Sequence, residues 1–266
     1  MSTTMMNLSG RTVGEVATEI PAAIRVFEKW GIDYCCGGKM PMEKAVATSG
    51  RTIADFELDL AASASVPSGI DRDWSSESLQ AISRFIVDTY HVYTREELET
   101  LLALSEKVDR VHGQNHPEVV RVHQLIQGLA NDMRPHMLKE EQVLFPYVDE
   151  LDRVQASGGP APMPFFGTVK NPVRMMMLEH DAVGTMLAEL REITNGFALP
   201  ADACFSYTQL YTRLGEFEAK THEHVHLENN VYFPAAVALE EKIGDPTTAS
   251  APTGDAHAAG PCGCSH

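Results

Sequence analysis

The sequence predicts an all-α protein, in which an antiparallel four-helix bundle follows a small helical N-terminal domain. Three observations support this prediction. Four long stretches have apolar residues at helical spacing, strand signals are weak throughout, and each half of the bundle carries the same histidine–glutamate motif. At 266 residues, the chain exceeds the roughly 150 residues expected of one domain.

The bundle is predicted to occupy residues 75–245. Its first helix opens at Ser75 and Ser76, and its third has Asn171 as a helix cap followed by Pro172, whose missing N–H costs nothing in the first turn. A loop rich in glycine and proline, at about 154–170, separates the two halves. The predicted helices are about 75–108, 117–147, 171–195 and 201 to beyond 232.

Residues 1–60 are predicted to form a separate helical domain, and 61–74 a linker. Thr12-x-x-Glu15 matches a capping box, and Gly31 ends a second apolar segment ahead of a turn that contains Cys35 and Cys36. The C-terminal residues 246–266 have almost no large apolar side chains, so we expect a disordered tail. That tail ends in Cys-x-Cys-x-His, whose role stays open.

The informative feature of the bundle is a repeat. His136-x3-Glu140 and His224-x3-Glu228 are both followed, at the same offset, by Val-x-Phe-Pro. Four residues turn a helix by about 400° and raise it by about 6 Å, so each histidine and glutamate project from one face. Each pair is therefore a candidate two-point metal clamp.

In each half, a further histidine lies about 45 residues upstream of the pair. His91 precedes His136 by 45 residues, and His180 precedes His224 by 44. Four imidazoles and two carboxylates would satisfy two metal ions, with two histidines on each ion and both glutamates bridging. Imidazole with carboxylate suits iron, manganese or zinc, and a six-ligand pair with open positions favours iron.

Composition restricts the partners. Lys+Arg 21 against Asp+Glu 37 gives a net charge of −16, and such an acidic surface repels nucleic acid and anionic membranes. Neither a signal peptide nor 18 consecutive apolar residues occurs, so we expect a cytoplasmic protein. Five cysteines, two of them adjacent, do not indicate a secreted disulfide framework.

With these residues identified, the sequence resembles the hemerythrin-like di-iron proteins that repair iron–sulfur clusters, the RIC family. The resemblance covers about residues 7–240 and implies a vicinal-cysteine module of the ScdA type ahead of a hemerythrin-like bundle. The segments that carry it are Asp33–Lys39, Tyr90–His91, His136–Pro146, Glu179–Asp181 and His224–Pro234.

The resemblance implies two non-haem irons, with nitric oxide or oxygen as a small ligand. It also implies a protein that repairs clusters damaged by nitrosative or oxidative stress. It implies iron–sulfur client proteins as partners and allows a homodimer, and from the ligand count we expect the protein to donate iron to those clients. Cys35, Cys36 and Glu179 match the reactive residues of the family. The residues at its iron-ligand positions are His91, His136, Glu140, His180, His224 and Glu228.

Two alternatives remain at this point. One is reduction of nitric oxide at the di-iron site, and the other is a hemerythrin-like sensor of oxygen or nitric oxide. Oxygen-carrying hemerythrins add a fifth histidine four residues after the position of His180, where this chain has Gly184, which argues against a simple oxygen carrier. A family glutamate near the irons is Asp132 here, so its role is not carried over.

Overall fold

The computed structural model describes residues 8, 10–63, 74–160 and 162–244. Within those ranges every regular element is a helix, apart from one isolated β-bridge between Thr12 and Pro41, so the all-α prediction is confirmed. The predicted tail at 246–266 and residues 64–73 of the predicted linker lie outside the described residues. Among the described helices, none combines the length and apolar character needed to cross a bilayer.

Four short helices form the N-terminal domain: α1 Val13–Glu19, α2 Ala22–Trp30, α3 Met42–Thr48 and α4 Ile53–Ser63. They enclose their own core, in which the Phe27 ring stacks on Tyr34 and Phe56. The Thr12–Glu15 capping box is present at α1, and Gly31 ends α2 at φ 65°. α4 continues three residues into the predicted linker, because alanines at 61 and 62 favour helix.

The bundle consists of four rods, three of which are interrupted by a π-helical segment. The helices are α5 Leu79–Phe85, α6 Val92–His112, α7 Glu118–Lys139, α8 Phe145–Ser157, α9 Lys170–Ile193, α10 Phe205–Leu227 and α11 Phe233–Gly244. The π segments are Ile86–His91, Glu140–Leu144 and Glu228–Tyr232. α6 packs between α7 and α10, and α7 also packs against α9.

Several rod ends differ from the predicted ones. The first rod is capped by Ser78, which accepts a hydrogen bond from the backbone of residue 81, instead of by Ser75 or Ser76. α9 begins at Lys170, because the Asn171 side chain donates to the carbonyl of Phe166 and does not cap the helix. The second rod extends to residue 157 because its apolar stripe continues through Val148, Leu151 and Val154.

The repeated Val-x-Phe-Pro motif explains two of the π segments. Proline cannot donate to the carbonyl four residues earlier, and its ring clashes with that carbonyl. Just ahead of Pro146, the N–H of Phe145 instead bonds five residues back to the carbonyl of Glu140. The N–H of Phe233 bonds in the same way to the carbonyl of Glu228, ahead of Pro234. Each candidate bridging glutamate therefore begins a π segment, a feature often found at functional sites.

The N-terminal domain docks on the π segment Glu228–Tyr232. The Asn230 side chain donates to the carbonyls of Tyr34 and Cys35, at 3.2 Å each. It lies against Gly14 and Gly38, where a Cβ atom would overlap its Oδ1. Glycine at these two positions therefore allows the cysteine turn to approach the bundle closely.

Candidate metal centre

The six residues predicted as metal ligands lie together in the bundle interior. His91 ends the first π segment, Glu140 and Glu228 begin the other two, and the remaining histidines lie on α7, α9 and α10. All six are buried, with exposures of 4 % or less. They form two groups whose ligand atoms lie within 4.8 Å of one another: His91, Glu140, His224 and Glu228, and His136, Glu140, His180 and Glu228.

Both glutamates belong to both groups, which is the arrangement that bridging requires. Glu228 Oε1 lies 2.9 Å from His224 Nε2, and its Oε2 lies 3.1 Å from His180 Nε2. Glu140 Oε2 lies 3.4 Å from the Nε2 atoms of both His91 and His136. Each group takes one histidine from each half of the chain, a pairing that the repeat alone did not specify.

The polar atoms of this centre fit a cation. Nδ1 of His136 and Nδ1 of His180 each contact an acceptor on a neighbouring side chain, which leaves the two Nε2 atoms directed at the centre, 3.1 Å apart. That separation suits adjacent ligands of one metal, since metal–nitrogen bonds are about 2.0–2.1 Å. His91 Nε2 and both oxygens of Glu140 are buried without a hydrogen-bond partner, which is costly unless a cation satisfies them.

Electrostatics support the same fit. Burial, together with the charge of Glu228, raises the pKa of Glu140 to about 7. Burial works against the charged form of His180 as well, but Glu228 outweighs it and raises the pKa of His180 to about 9. The two carboxylates therefore create a negative potential that a metal cation would neutralise.

Three of the four histidines are oriented by a second side chain. Nδ1 of His91 donates to Glu141 at 2.6 Å, and Nδ1 of His136 donates to Glu179 at 2.8 Å. Nδ1 of His180 donates to Asn229 at 2.9 Å. Such partners fix ring orientation and leave Nε2 for a metal.

The partners of His91 and His180 were missed at the sequence level. The signal was nevertheless there, since Glu141 and Asn229 follow the two glutamates of the repeat at equivalent positions.

The predicted reactive residue Glu179 lies outside the two ligand groups. It receives a hydrogen bond from His136 and forms an ion pair with Lys139. The hydrogen bond from His136 is the main cause that lowers the pKa of Glu179 to about 2. Asp132, by contrast, is exposed on α7.

Aromatic rings repeat with the ligands. Phe145 stacks on His91 with ring centroids 5.9 Å apart, and Phe233 stacks on His180 at the same distance. Each phenylalanine belongs to a Val-x-Phe-Pro motif and covers the upstream histidine of its own half. The motif thus supplies both the π segment and an apolar wall for one ligand.

The predicted cysteine pair lies in a tight turn held by Asp33. Its Oδ1 accepts from the backbone N–H groups of Cys35 and Cys36, at 3.1 and 2.9 Å. The two sulfurs are 4.0 Å apart and are not bonded to each other. The Cys35 thiol has two acceptors, the Cys36 sulfur and Asp33 Oδ1, and its hydrogen bond to the sulfur is the main cause that lowers the pKa of Cys36.

This turn lies against α9 of the bundle. A Cβ atom built on Gly184 would lie 3.8 Å from the sulfur of Cys36, which is ordinary van der Waals contact, so the thiol lies directly over this position of the helix. A cleft of about 690 Å³ between the two domains is lined by both cysteines, with Asp181, Arg191 and others. Asp33, Cys35 and Cys36 also form a third group with metal-ligand spacing.

Comparison with known proteins agrees with both parts of the fold. The hemerythrin HHE cation-binding domain matches residues 84–236, and the ScdA N-terminal domain of unknown function (DUF542) matches 9–64. The chain belongs to the hemerythrin-like iron–sulfur cluster repair family. A probable iron–sulfur cluster repair protein of Haemophilus influenzae is 32% identical over 238 residues, which cover 89% of this chain and 100% of that protein.

Further relatives give the same result. The iron–sulfur cluster repair proteins YtfE of Yersinia pseudotuberculosis and Yersinia pestis are each 34% identical over 235 residues, which cover 88% of this chain and all of the relative. The hemerythrin-like domain is a non-haem di-iron domain, and the two buried ligand groups of this chain provide places for two metal ions.

Two further histidines and one cysteine of the hemerythrin-like domain make contacts outside the two ligand groups. His226, which the sequence did not mark as important, is buried, and its ring packs on Tyr34 of the docked domain with centroids 5.4 Å apart. His222 contacts Glu28 at 2.8 Å across the same interface. Cys204 is exposed at the start of α10 and lies 3.2 Å from His112.

Proposed function

We propose that this chain repairs damaged iron–sulfur clusters by donating iron from its buried centre to client proteins. Its relatives carry the name of iron–sulfur cluster repair proteins. The observation that carries the proposal is the pair of ligand groups that share both carboxylates, beside a cysteine turn that lines a cleft and in which Cys35 is buried and Cys36 is partly exposed. The proposed iron ligands are His91, His136, Glu140, His180, His224 and Glu228.

The ligand set suits a store that can release its metal. It contains nitrogen and oxygen donors without a thiolate, and softer thiolate sites select other metals and clusters. Because Glu140 and Glu228 each face both groups, moving either carboxylate loosens both sites at once. The four histidines alone would leave each site with two protein ligands.

The cysteine turn is the proposed exit for iron. Both cysteines line a cleft between the domains, and Asp33 adds a carboxylate to the same small group. Thiolate with carboxylate can hold a ferrous ion for a short time without enclosing it. The three cysteines within the described residues are unpaired, which suits the cytoplasm, where thiols stay reduced.

Glu179 is proposed to position His136 and to balance its charge. It accepts from Nδ1 of His136 and pairs with Lys139 at the surface. This contact keeps Nε2 of His136 directed at the centre. Glu179→Gln would keep an acceptor for the ring but remove the charge, so we expect iron to remain bound with a faster release to chelator.

Metal content tests the ligand set. Glu140→Leu and Glu228→Leu should each lower iron per chain towards zero, measured by plasma mass spectrometry after anaerobic purification. Glu106→Leu, an exposed glutamate on α6, is the matched control and should keep its iron. Unchanged iron content and unchanged iron release in the two centre variants contradict the proposal.

A transfer assay separates donation from nitric oxide reduction. Iron-loaded protein is incubated with an apo-cluster protein under anaerobic conditions, with a separate arm that supplies nitric oxide and an electron donor. Donation predicts stoichiometric loss of iron to the client, whereas a reductase consumes nitric oxide and makes nitrous oxide over many cycles. The double change Cys35→Ser, Cys36→Ser should slow transfer and leave iron content unchanged, while Cys204→Ser should have no effect.

A further inference from the structure

The residue after each shared glutamate has the same task in both halves of the bundle. Glu141 follows Glu140 and accepts from Nδ1 of His91, and Asn229 follows Glu228 and accepts from Nδ1 of His180. The two contacts measure 2.6 and 2.9 Å. Each half thus orients its upstream histidine from the same position of the repeat.

Glu141 and Asn229 differ in the contact that each side chain makes besides the one to histidine. The Glu141 carboxylate forms an ion pair with Arg95, whose side chain is 40% exposed. The contacts that start at His91 therefore lead through Glu141 to the solvent. The Asn229 amide has a donor as well as an acceptor, and its Nδ2 lies 3.4 Å from the carbonyl oxygen of Cys35. A carboxylate has no proton to donate to that carbonyl.

The cysteine turn is held firmly at this carbonyl. Asn230 also donates to it, at 3.2 Å, and Asp33 fixes the N–H groups of both cysteines. A change in the turn therefore changes the position of the carbonyl that Asn229 contacts. One side chain then connects the turn to the imidazole of His180.

We propose that Asn229 is a positioning residue that couples the cysteine turn to the metal centre through His180. Metal at the centre holds the His180 ring, and the Asn229 amide passes this restraint to the cysteine turn. Bound metal therefore slows chemical modification of the cysteines. By thermodynamic linkage, modification of the cysteines weakens the hold of the centre on its metal. The inference rests on the proposed ligand set, in which His180 binds iron.

Alkylation by iodoacetamide tests the coupling. The cysteine sulfur forms a bond to the reagent's carbon, iodide leaves, and the thiol proton goes to solvent. The rate is followed by mass spectrometry on the peptide that carries Cys35 and Cys36, which separates it from the other cysteines. In the wild-type protein we expect the metal-free form to react about three- to tenfold faster than the iron-loaded form, the range set by losing one hydrogen bond.

Two variants separate the amide from the acceptor. Asn229→Asp keeps an oxygen for His180 but has no donor for the Cys35 carbonyl, so iron should stay bound and the ratio of rates should fall to about one. Glu141→Gln changes the equivalent residue of the other half, so its ratio should match the wild type. Hydrogen exchange at the amides of Cys35 and Cys36, with and without iron, should show the same pattern.

The outcomes distinguish this inference from the proposed function. A wild-type protein that holds two irons but reacts at one rate in both forms overturns the coupling alone. The same conclusion follows if Asn229→Asp keeps the wild-type ratio or cannot hold iron. A wild-type protein that binds no iron under any growth condition overturns the proposed function itself.

Discussion

Replacing Glu140 by leucine should stabilise the metal-free protein while abolishing iron binding. The carboxylate is fully buried, its two oxygens have no hydrogen-bond partner, and Glu228 adds a second negative charge beside it. Its pKa rises from an ordinary 4.5 to about 7, which corresponds to about 3 kcal/mol against the ionised form at about 1.4 kcal/mol per tenfold change in acidity. A leucine in its place removes that cost.

The sign of the pH dependence follows from the same values. Since the folded-state pKa of Glu140 is raised, ionisation of its carboxyl group is unfavourable in the folded protein. The protein therefore loses stability as pH rises from about 4.5 to about 7. Urea denaturation of chelator-treated protein should therefore show Glu140→Leu more stable than wild type at pH 8 by about 3 kcal/mol. The gap should shrink at pH 5.

Two results would refute this reasoning. One is a metal-free Glu140→Leu protein that is less stable than metal-free wild type at pH 8. The other is a stability gap that does not change between pH 5 and pH 8. Glu106→Leu provides the control, because an exposed carboxylate should change stability little at either pH.

Three further changes test other parts of the structure. Gly38→Ala introduces a Cβ that overlaps the side-chain amide of Asn230. It should weaken domain docking by about 1–3 kcal/mol and speed proteolysis of residues 10–63. Gly244→Ala, which has open space around it, should have neither effect. Phe27→Ala should cost about 3–5 kcal/mol within the N-terminal domain, seen by calorimetry as an earlier separate transition, with bundle iron retained. Pro146→Ala restores a helical donor, so hydrogen exchange should show a regular helix there and iron content should fall, whereas Pro135→Ala should leave iron unchanged.

The sequence predicted what depends on local geometry. A histidine and a glutamate four residues apart share one face of any helix, so His136 with Glu140, and His224 with Glu228, could be paired before the fold was known. The capping box at Thr12 is equally local. Helix ends proved less certain, because the Asn171 side chain bonds to a loop carbonyl instead of capping α9.

The sequence could not show what depends on contacts between distant segments. Which histidines meet at one metal is decided by packing of the two halves, and the structure joins His136 with His180. The docking of the N-terminal domain, through Asn230 and the buried ring of His226, brings together residues about 190 positions apart.

The most direct test of the central claim is iron content combined with Mössbauer spectroscopy on anaerobically purified protein. The account predicts two irons per chain, with spectra of a coupled pair, and loss of both irons together when either Glu140 or Glu228 is changed to leucine. One isolated iron per chain, or two irons that are lost independently in these variants, would contradict it.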